Sequence, residues 1–313
     1  MRILIHAGIH RTGSTSLQGF LAANRAGLAA QGIAYPGEGP NHQDFAWAVL
    51  RGDAGARQAR ALAEGAEAAG ARLCVLSAED FAQHRDLGWV RALAERWETS
   101  AALYLRRQDD WLNSWYNQHV KWPFDKVKSR LSPFAFLDRI EDFFWIDYDA
   151  LLDRWAQALG AERLRPAVVE PGQVTDVTAD FCALAGIDAE PLAPAPRVND
   201  SLPPHVLEIA RHLGLHEMPP GMRRRVNKAL VAGLAPMGGR ARTVFPPEAR
   251  LRVLERFEES NAAVARRWFA RDRLFLAPPP APEEPWARMP EMDRERLLRD
   301  WVAPVVRELA RRA

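Results

Sequence analysis

The sequence predicts an α/β fold in which a central parallel sheet is flanked by helices in three layers. Three observations predict it. Short apolar runs recur along the chain, each run stops at polar residues, and stretches with apolar residues at helical spacing lie between them. Strands separated by helical patterns form parallel sheets covered by helices, with ligands at the carboxyl ends of the strands.

The first run, from Arg2 to Ala7, is followed by a loop bracketed by Gly8 and Gly13. Leu17, Phe20, Leu21 and Leu28 then recur at helical spacing, so the order is strand, loop, helix. A second run, Leu73 to Leu76, ends at Ser77-Ala-Glu-Asp80. A third, Ala101 to Leu105, ends at Arg106-Arg107 and leads into Trp111, Leu112, Trp115 and Tyr116. A fourth, Ala167 to Val169, ends at Glu170. Helices are predicted over Tyr148 to Leu159, Thr175 to Ala185, Pro204 to Leu213 and Pro247 to Phe269. The stretch Lys121 to Phe134 is basic and broken by prolines, which suits a lid over a substrate or a solvated loop. Pro278 to Pro282 ends the main body, and Met292 to Arg312 reads as one more amphipathic helix packed back onto it. There is no internal repeat and no sign of a second domain.

Composition narrows the function classes. The chain has 313 residues, 48% hydrophobic and 26% charged, which is ordinary globular composition. Its net charge of +2 provides no global field for nucleic acid or an anionic membrane, so any anion site must be built locally. Lys121, Lys126, Lys128 and Lys228 are the lysines, and the remaining positive charge is Arg. Cys74 and Cys182 lie inside apolar runs and read as small buried hydrophobes rather than a disulfide pair. Met1-Arg-Ile-Leu-Ile-His6 turns polar too early for a secretory segment, and no stretch approaches the ~18 apolar residues of a membrane span. A cytoplasmic location without a membrane span is expected.

The chemistry concentrates at Gly8-x4-Gly13-Ser-Thr15. A glycine-rich turn from strand to helix aligns backbone N–H groups at the positive end of the helix dipole, which makes an anion site. The segment lacks the Lys that follows the second glycine in an ATP-binding phosphate loop, and its cation, Arg11, comes earlier. His212 and His216 have the i, i+4 spacing of metal ligands, but no third ligand cluster accompanies them, and solvent-facing histidines are the expectation. Asn199-Asp-Ser201 matches a glycosylation acceptor, irrelevant in a cytoplasmic protein.

His10-Arg-Thr-Gly-Ser-Thr-Ser16 resembles the 5′-phosphosulfate loop of sulfotransferases that use 3′-phosphoadenosine-5′-phosphosulfate (PAPS), a family that usually has Lys where Arg11 stands. A second motif of that family, an Arg ending a strand with a Ser eight residues later in the next helix, is matched by Arg106 and Ser114. Physically, a phosphate on a ribose 3′ position needs a planar bidentate donor and a hydroxyl converging on it. Weaker resemblance to the bacterial sulfotransferase-like families runs through Gly32-Ile-Ala-Tyr-Pro36, Ser77-Ala-Glu-Asp-Phe81, Tyr148 with Trp155, Asn199-Asp-Ser-Leu202 and Phe257-Glu-Glu-Ser-Asn261. A Gly-x-x-Gly-x-x-Lys segment like that of the cytosolic animal enzymes is absent.

The resemblance implies a P-loop-type sulfotransferase domain over residues 1–276, with 277–313 a Pro-rich linker and C-terminal helix packed on the same domain. It implies PAPS as sulfuryl donor, 3′,5′-adenosine bisphosphate as product, no metal, and a hydroxyl acceptor on a small metabolite or glycan, with nucleic acid not a partner. Arg11 is then expected on the bridging and leaving oxygens. His10, Thr12, Gly13, Ser14, Thr15 and Ser16 surround the 5′-phosphate, and Arg106 and Ser114 the 3′-phosphate. The acceptor must lose a proton, so a His or carboxylate is expected nearby, and His42 and Glu79 are the two candidates. The bland alternative is that Ser77 caps a helix and Glu79 and Asp80 simply favour its positive end. Trp47, Trp115, Tyr116, Trp122 and Phe124 line a cleft or fill the core. The rival readings are a P-loop kinase or NTPase-like phosphotransferase, and a non-catalytic nucleotide-binding relative.

Overall fold

In the computed structural model, residues 1–52, 55–195, 201–288 and 293–311 are described. They divide into two compact units, each assembled from three segments. The first comprises 1–107, 144–198 and 257–277; the second comprises 108–143, 199–256 and 278–313.

The first unit holds a five-stranded parallel sheet. Its strands are β1 Arg2–His6, β2 Ile33–Ala34, β3 Leu73–Ser77, β4 Glu98–Leu105 and β5 Leu164–Val168, in the order β2-β3-β1-β4-β5. The four apolar runs are thus strands, and the two-residue β2 is an addition too short for a periodicity to reveal. Helices α1 Ser14–Ala23, α2 Arg25–Ala30, α3 Gln43–Leu50, α4 Gly55–Ala68 and α5 Gly88–Ala94 connect them, with three further helices in the unit, Tyr148–Leu159, Val177–Ala185 and Glu258–Phe269. Val177–Ala185 starts two residues later than its pattern suggests, because Asp176 caps it by accepting from the N–H groups of Thr178 and Ala179.

One face of the sheet, with Leu4, Leu73, Val75, Ala102 and Tyr104, is buried against Leu17, Phe20, Leu21 and Leu28 of α1 and α2 and Phe181 and Cys182 of Val177–Ala185. The other face is covered by α4, α5 and Tyr148–Leu159, which pack on β3, β4 and β5. That is a three-layer α/β fold of the P-loop type. Cys74 and Cys182 are buried free thiols, and burial pushes them up to about 12 and about 11.

The second unit is helical. Helix α6, Gln108–Lys121, carries Asp109 and Asp110 in its first turn. Arg250, only 6% exposed, pairs with the fully buried Asp109 at 2.8 Å, with Asp110 at 3.2 Å and with Glu284 of the Pro-rich segment at 2.7 Å. The helix Ala303–Arg311 packs on Pro220–Gly233. Leu297–Val302 before it widens to a π turn, where Pro304 has no N–H to give the preceding turn. Met292 and Arg312, the bounds expected for that helix, lie outside the described residues, as do Asn199 and Asp200.

Two expectations need correction. The single helix over Pro247 to Phe269 is two, Pro247–Arg256 and Glu258–Phe269, because Phe257 leaves helical geometry at φ −102°, ψ 11°. Of His212 and His216, both expected to face solvent, His212 at the end of Pro204–His212 does, whereas His216, set on a separate turn by Gly214 in a left-handed conformation, does not. His212 bonds Glu208, whereas His216, with a side chain 8% exposed, sits between Arg130 and Glu217. Among the described residues no helix is long and apolar enough to cross a membrane, and no group of three or more His, Cys, Asp or Glu is set to hold a metal ion.

Candidate functional site

Strand β1 lies between β3 and β4, and its register fixes the site. His6 is level with Ser77 on one side and Ala102 on the other. Chain order reverses here, since β1 leads to neighbours on both flanks, and such a switch point opens a crevice at the carboxyl ends. The loop after β1 emerges into it. Its first residues still follow β4, with Ala7 N–H donating to Ala102 O at 2.9 Å and Ile9 N–H to Tyr104 O at 3.3 Å.

The loop then turns sharply. Arg11 has φ 67°, left-handed for a side-chain-bearing residue, and Gly13 has φ 92° as the residue before α1. Holding Arg11 there costs roughly 1–2 kcal/mol, strain that collects at functional sites. Thr12, buried, closes the turn by donating to Ile9 O at 2.6 Å. Ser14 is buried, while Gly13 and Thr15 are exposed and Arg11 and Ser16 partly so. The first turn of α1 carries no acidic residue, so no side chain of that turn offsets the positive end of the helix.

On the β4 side, Arg106 donates from Nη1 to the backbone carbonyl of Arg11 at 2.8 Å. The Tyr148 hydroxyl, in turn, bonds the Arg106 carbonyl. Two elements singled out from sequence, the loop and the Arg ending β4, therefore meet. Ser114 belongs to the second unit, on α6, and is 8% exposed.

On the β3 side, Glu79 and Asp80 open a single 3-10 turn, Glu79–Gln83, just past the strand. Ser77 does not cap that turn; the residue before it is Ala78. The His10 imidazole Nε2 lies 2.9 Å from Asp80 Oδ1 and 3.7 Å from Glu79 Oε2. Burial alone would lower His10, yet the two carboxylates outweigh it and hold the ring above its ordinary 6.5. Burial raises Asp80, but His10, Trp47 and His84 together lower it more, and it stays below the usual carboxylate range. Trp47 Nε1 donates to Asp80 Oδ2 at 2.6 Å, and the Gln43 and Gln83 amides also donate to this carboxylate. Sequence reading took Asp80 only as helix-end charge. Its pairing with His10 needs the sheet order, which brings β3 beside β1.

His42 precedes α3 and is 6% exposed. Its Nδ1 accepts from the Ser77 N–H at 3.0 Å, its own N–H donates to Ser77 O at 2.8 Å, and Tyr35 packs edge-on at 5.0 Å. Burial lowers it to about 4, against the raising effect of the Ser77 and Pro36 backbones. Beneath the loop, His6 is fully buried, bonds Ser77 Oγ at 2.8 Å through Nδ1, and is lowered to about 3 by burial. Gln18 of α1 donates to the same hydroxyl at 3.2 Å and accepts from Asn41 at 3.1 Å. Of the candidate aromatics, Trp115 and Tyr116 are core, Trp47 is 47% exposed and Phe124 62%.

Fold and loop together define the class: a P-loop-type α/β protein with a strand–loop–helix cradle. No family model matches the chain. A protein of Archaeoglobus fulgidus, described as uncharacterized, is 30% identical over 178 residues, 55% of this chain and 46% of the relative, so the chain spans about half that relative's length. The crystal structure of a sulfotransferase from Alicyclobacillus acidocaldarius aligns with 71% of this chain and 98% of its own at 16% identity and a TM-score of 0.43.

Proposed function

We propose that the chain is a sulfotransferase that moves the sulfuryl group of PAPS onto a hydroxyl of a small metabolite or glycan. The supporting observation is the meeting of Arg106 with the Arg11 turn, at the carboxyl ends of β4 and β1. A loop with one cation of its own and a second guanidinium docked behind it suits an anion with phosphate on both flanks of a nucleoside, and Ser114 is proposed as a hydroxyl donor to the 3′-phosphate.

In this reading, Arg11 neutralises charge growing on the bridging oxygen as the S–O bond to the 5′-phosphate breaks. Backbone N–H groups of Thr12 to Ser16 hold that phosphate at the helix N-terminus. Glu79, at the mouth of the loop, takes the acceptor's proton as the new O–S bond forms. His42 is the weaker candidate, because protonating Nδ1 would break its bond to the Ser77 N–H.

The test is transfer of radiolabelled sulfuryl from PAPS across an acceptor panel, with 3′,5′-adenosine bisphosphate binding followed by thermal shift. Arg11→Ala is expected to lower kcat by about 10²–10³, the scale for a lost oxyanion donor. Near-normal turnover in that variant overturns the assignment. Stabilisation by Mg-ATP but not by the bisphosphate points instead to a phosphotransferase, favoured by the loop's placement alone.

A further inference from the structure

Two carboxylates stand beside a loop built for an anion, and this needs a physical reason. Glu79 and Asp80 extend from the end of β3 while the loop extends from the end of β1, and the level register of His6 with Ser77 brings them together. Left uncompensated, two negative charges at the rim repel a phosphate. The group between them and the loop is His10, within 2.9 Å of Asp80 and 3.7 Å of Glu79. Arg11 is the neighbouring cation, and its charge acts on His10 in the opposite sense.

Asp80 is the better organised of the two carboxylates. Donors from α3, Gln43 and Trp47, take one oxygen, Gln83 and His10 the other, and the side chain is 10% exposed. A carboxylate with this many partners has one orientation and imposes one on the ring it faces. We propose that Asp80 is a positioning residue that fixes His10 as an imidazolium at the rim of the loop, and that this proton is needed for a phosphate-type anion to bind tightly there. From the functional reading above it takes only that the loop holds such an anion.

The charge count gives the direction. With His10 protonated, Arg11, Arg106 and His10 exceed Glu79 and Asp80 by one charge; when the proton leaves, the rim falls to neutral and its pull on the anion weakens. Affinity must therefore fall as pH rises through the pKa of His10, above 6.5.

The experiment measures affinity by calorimetry from pH 6.5 to 9.5 for two probes, 3′,5′-adenosine bisphosphate and inorganic pyrophosphate. The variant His10→Gln sets the baseline, since it shares each probe's own ionisation. Wild type is expected to lose roughly tenfold over this range relative to that baseline, within the usual span of coupled sites. Asp80→Asn moves the midpoint down, and Asp80→Glu restores it, which a merely structural role does not do. An NMR titration of the His10 ring in the ligand-free protein should shift in step. Pyrophosphate binding with this pH dependence but no bisphosphate binding upholds the inference and sinks the sulfotransferase reading. A wild-type profile parallel to His10→Gln, an unmoved midpoint in Asp80→Asn, or no binding of either probe at pH 7 overturns the inference.

Discussion

At the scale of single residues, histidines do three different jobs within a few ångströms of one strand end. His6 and His42 are buried and share Ser77, the first through its hydroxyl and the second through its backbone, and both are held neutral. His10 is moved the other way, raised above its ordinary value by the carboxylates Glu79 and Asp80. The sign of each effect on stability differs. Unfolded, all three titrate near 6.5. As pH falls below 6.5 the unfolded chain gains protons at positions 6 and 42 that the folded chain refuses until about 3 and about 4. Stability is expected to drop by about 1.4 kcal/mol per pH unit for each of the two. His10 adds no slope there, being protonated in both states; its contribution is present below 6.5 and lost as pH rises through its folded value. Urea unfolding at pH 7.5, 6 and 5 checks this. His6→Gln should reduce the slope by about 1.4 kcal/mol per pH unit, and a flat profile in wild type rules the account out.

At the scale of elements, the strand–loop–helix start works because backbone and side chains are packed to a close tolerance. A Cβ on Gly8 would lie 2.7 Å from His6 Nε2, and His6 is fully buried, so the ring has nowhere to move. Gly8→Ala is expected to cost about 1–3 kcal/mol, the range for overpacking, seen as a lowered midpoint in denaturant. Unchanged stability would mean the ring can yield. Much of this element was legible in the sequence: the apolar run, the glycine bracket and the helical spacing of Leu17, Phe20 and Leu21 each report local geometry. The His10–Asp80 pair was not legible, because a separation of seventy residues acquires meaning only once β3 is known to lie beside β1. The break at Phe257 was hidden for a different reason, since its residue types suit a helix and only the backbone torsions betray the stop.

At the scale of the whole molecule, the described chain alternates between two units, and the sequence carried no sign of it. Helices of the second unit were legible one by one, as over Pro204 to Leu213 and at Trp111 to Tyr116, but helical spacing does not report which unit a helix joins. Its Pro-rich segment is tied down by Glu284 on Arg250, which also neutralises the fully buried Asp109. Removing one partner of a buried pair strands the other, so Arg250→Ala is expected to destabilise by about 3–5 kcal/mol. Replacing Arg250 and Asp109 together by Met and Leu should return most of that, as read by thermal unfolding. Equal losses in single and double variants would show that the cost is packing rather than stranded charge.

The alternation has a consequence for inheritance. A gene that carries two units in succession can exchange one by a single crossover between them. Here, a crossover anywhere between codons 107 and 278 hands the offspring fragments of both units from both parents. No single crossover can therefore exchange the sheet unit whole for another while leaving the helical unit with its buried Arg250 intact.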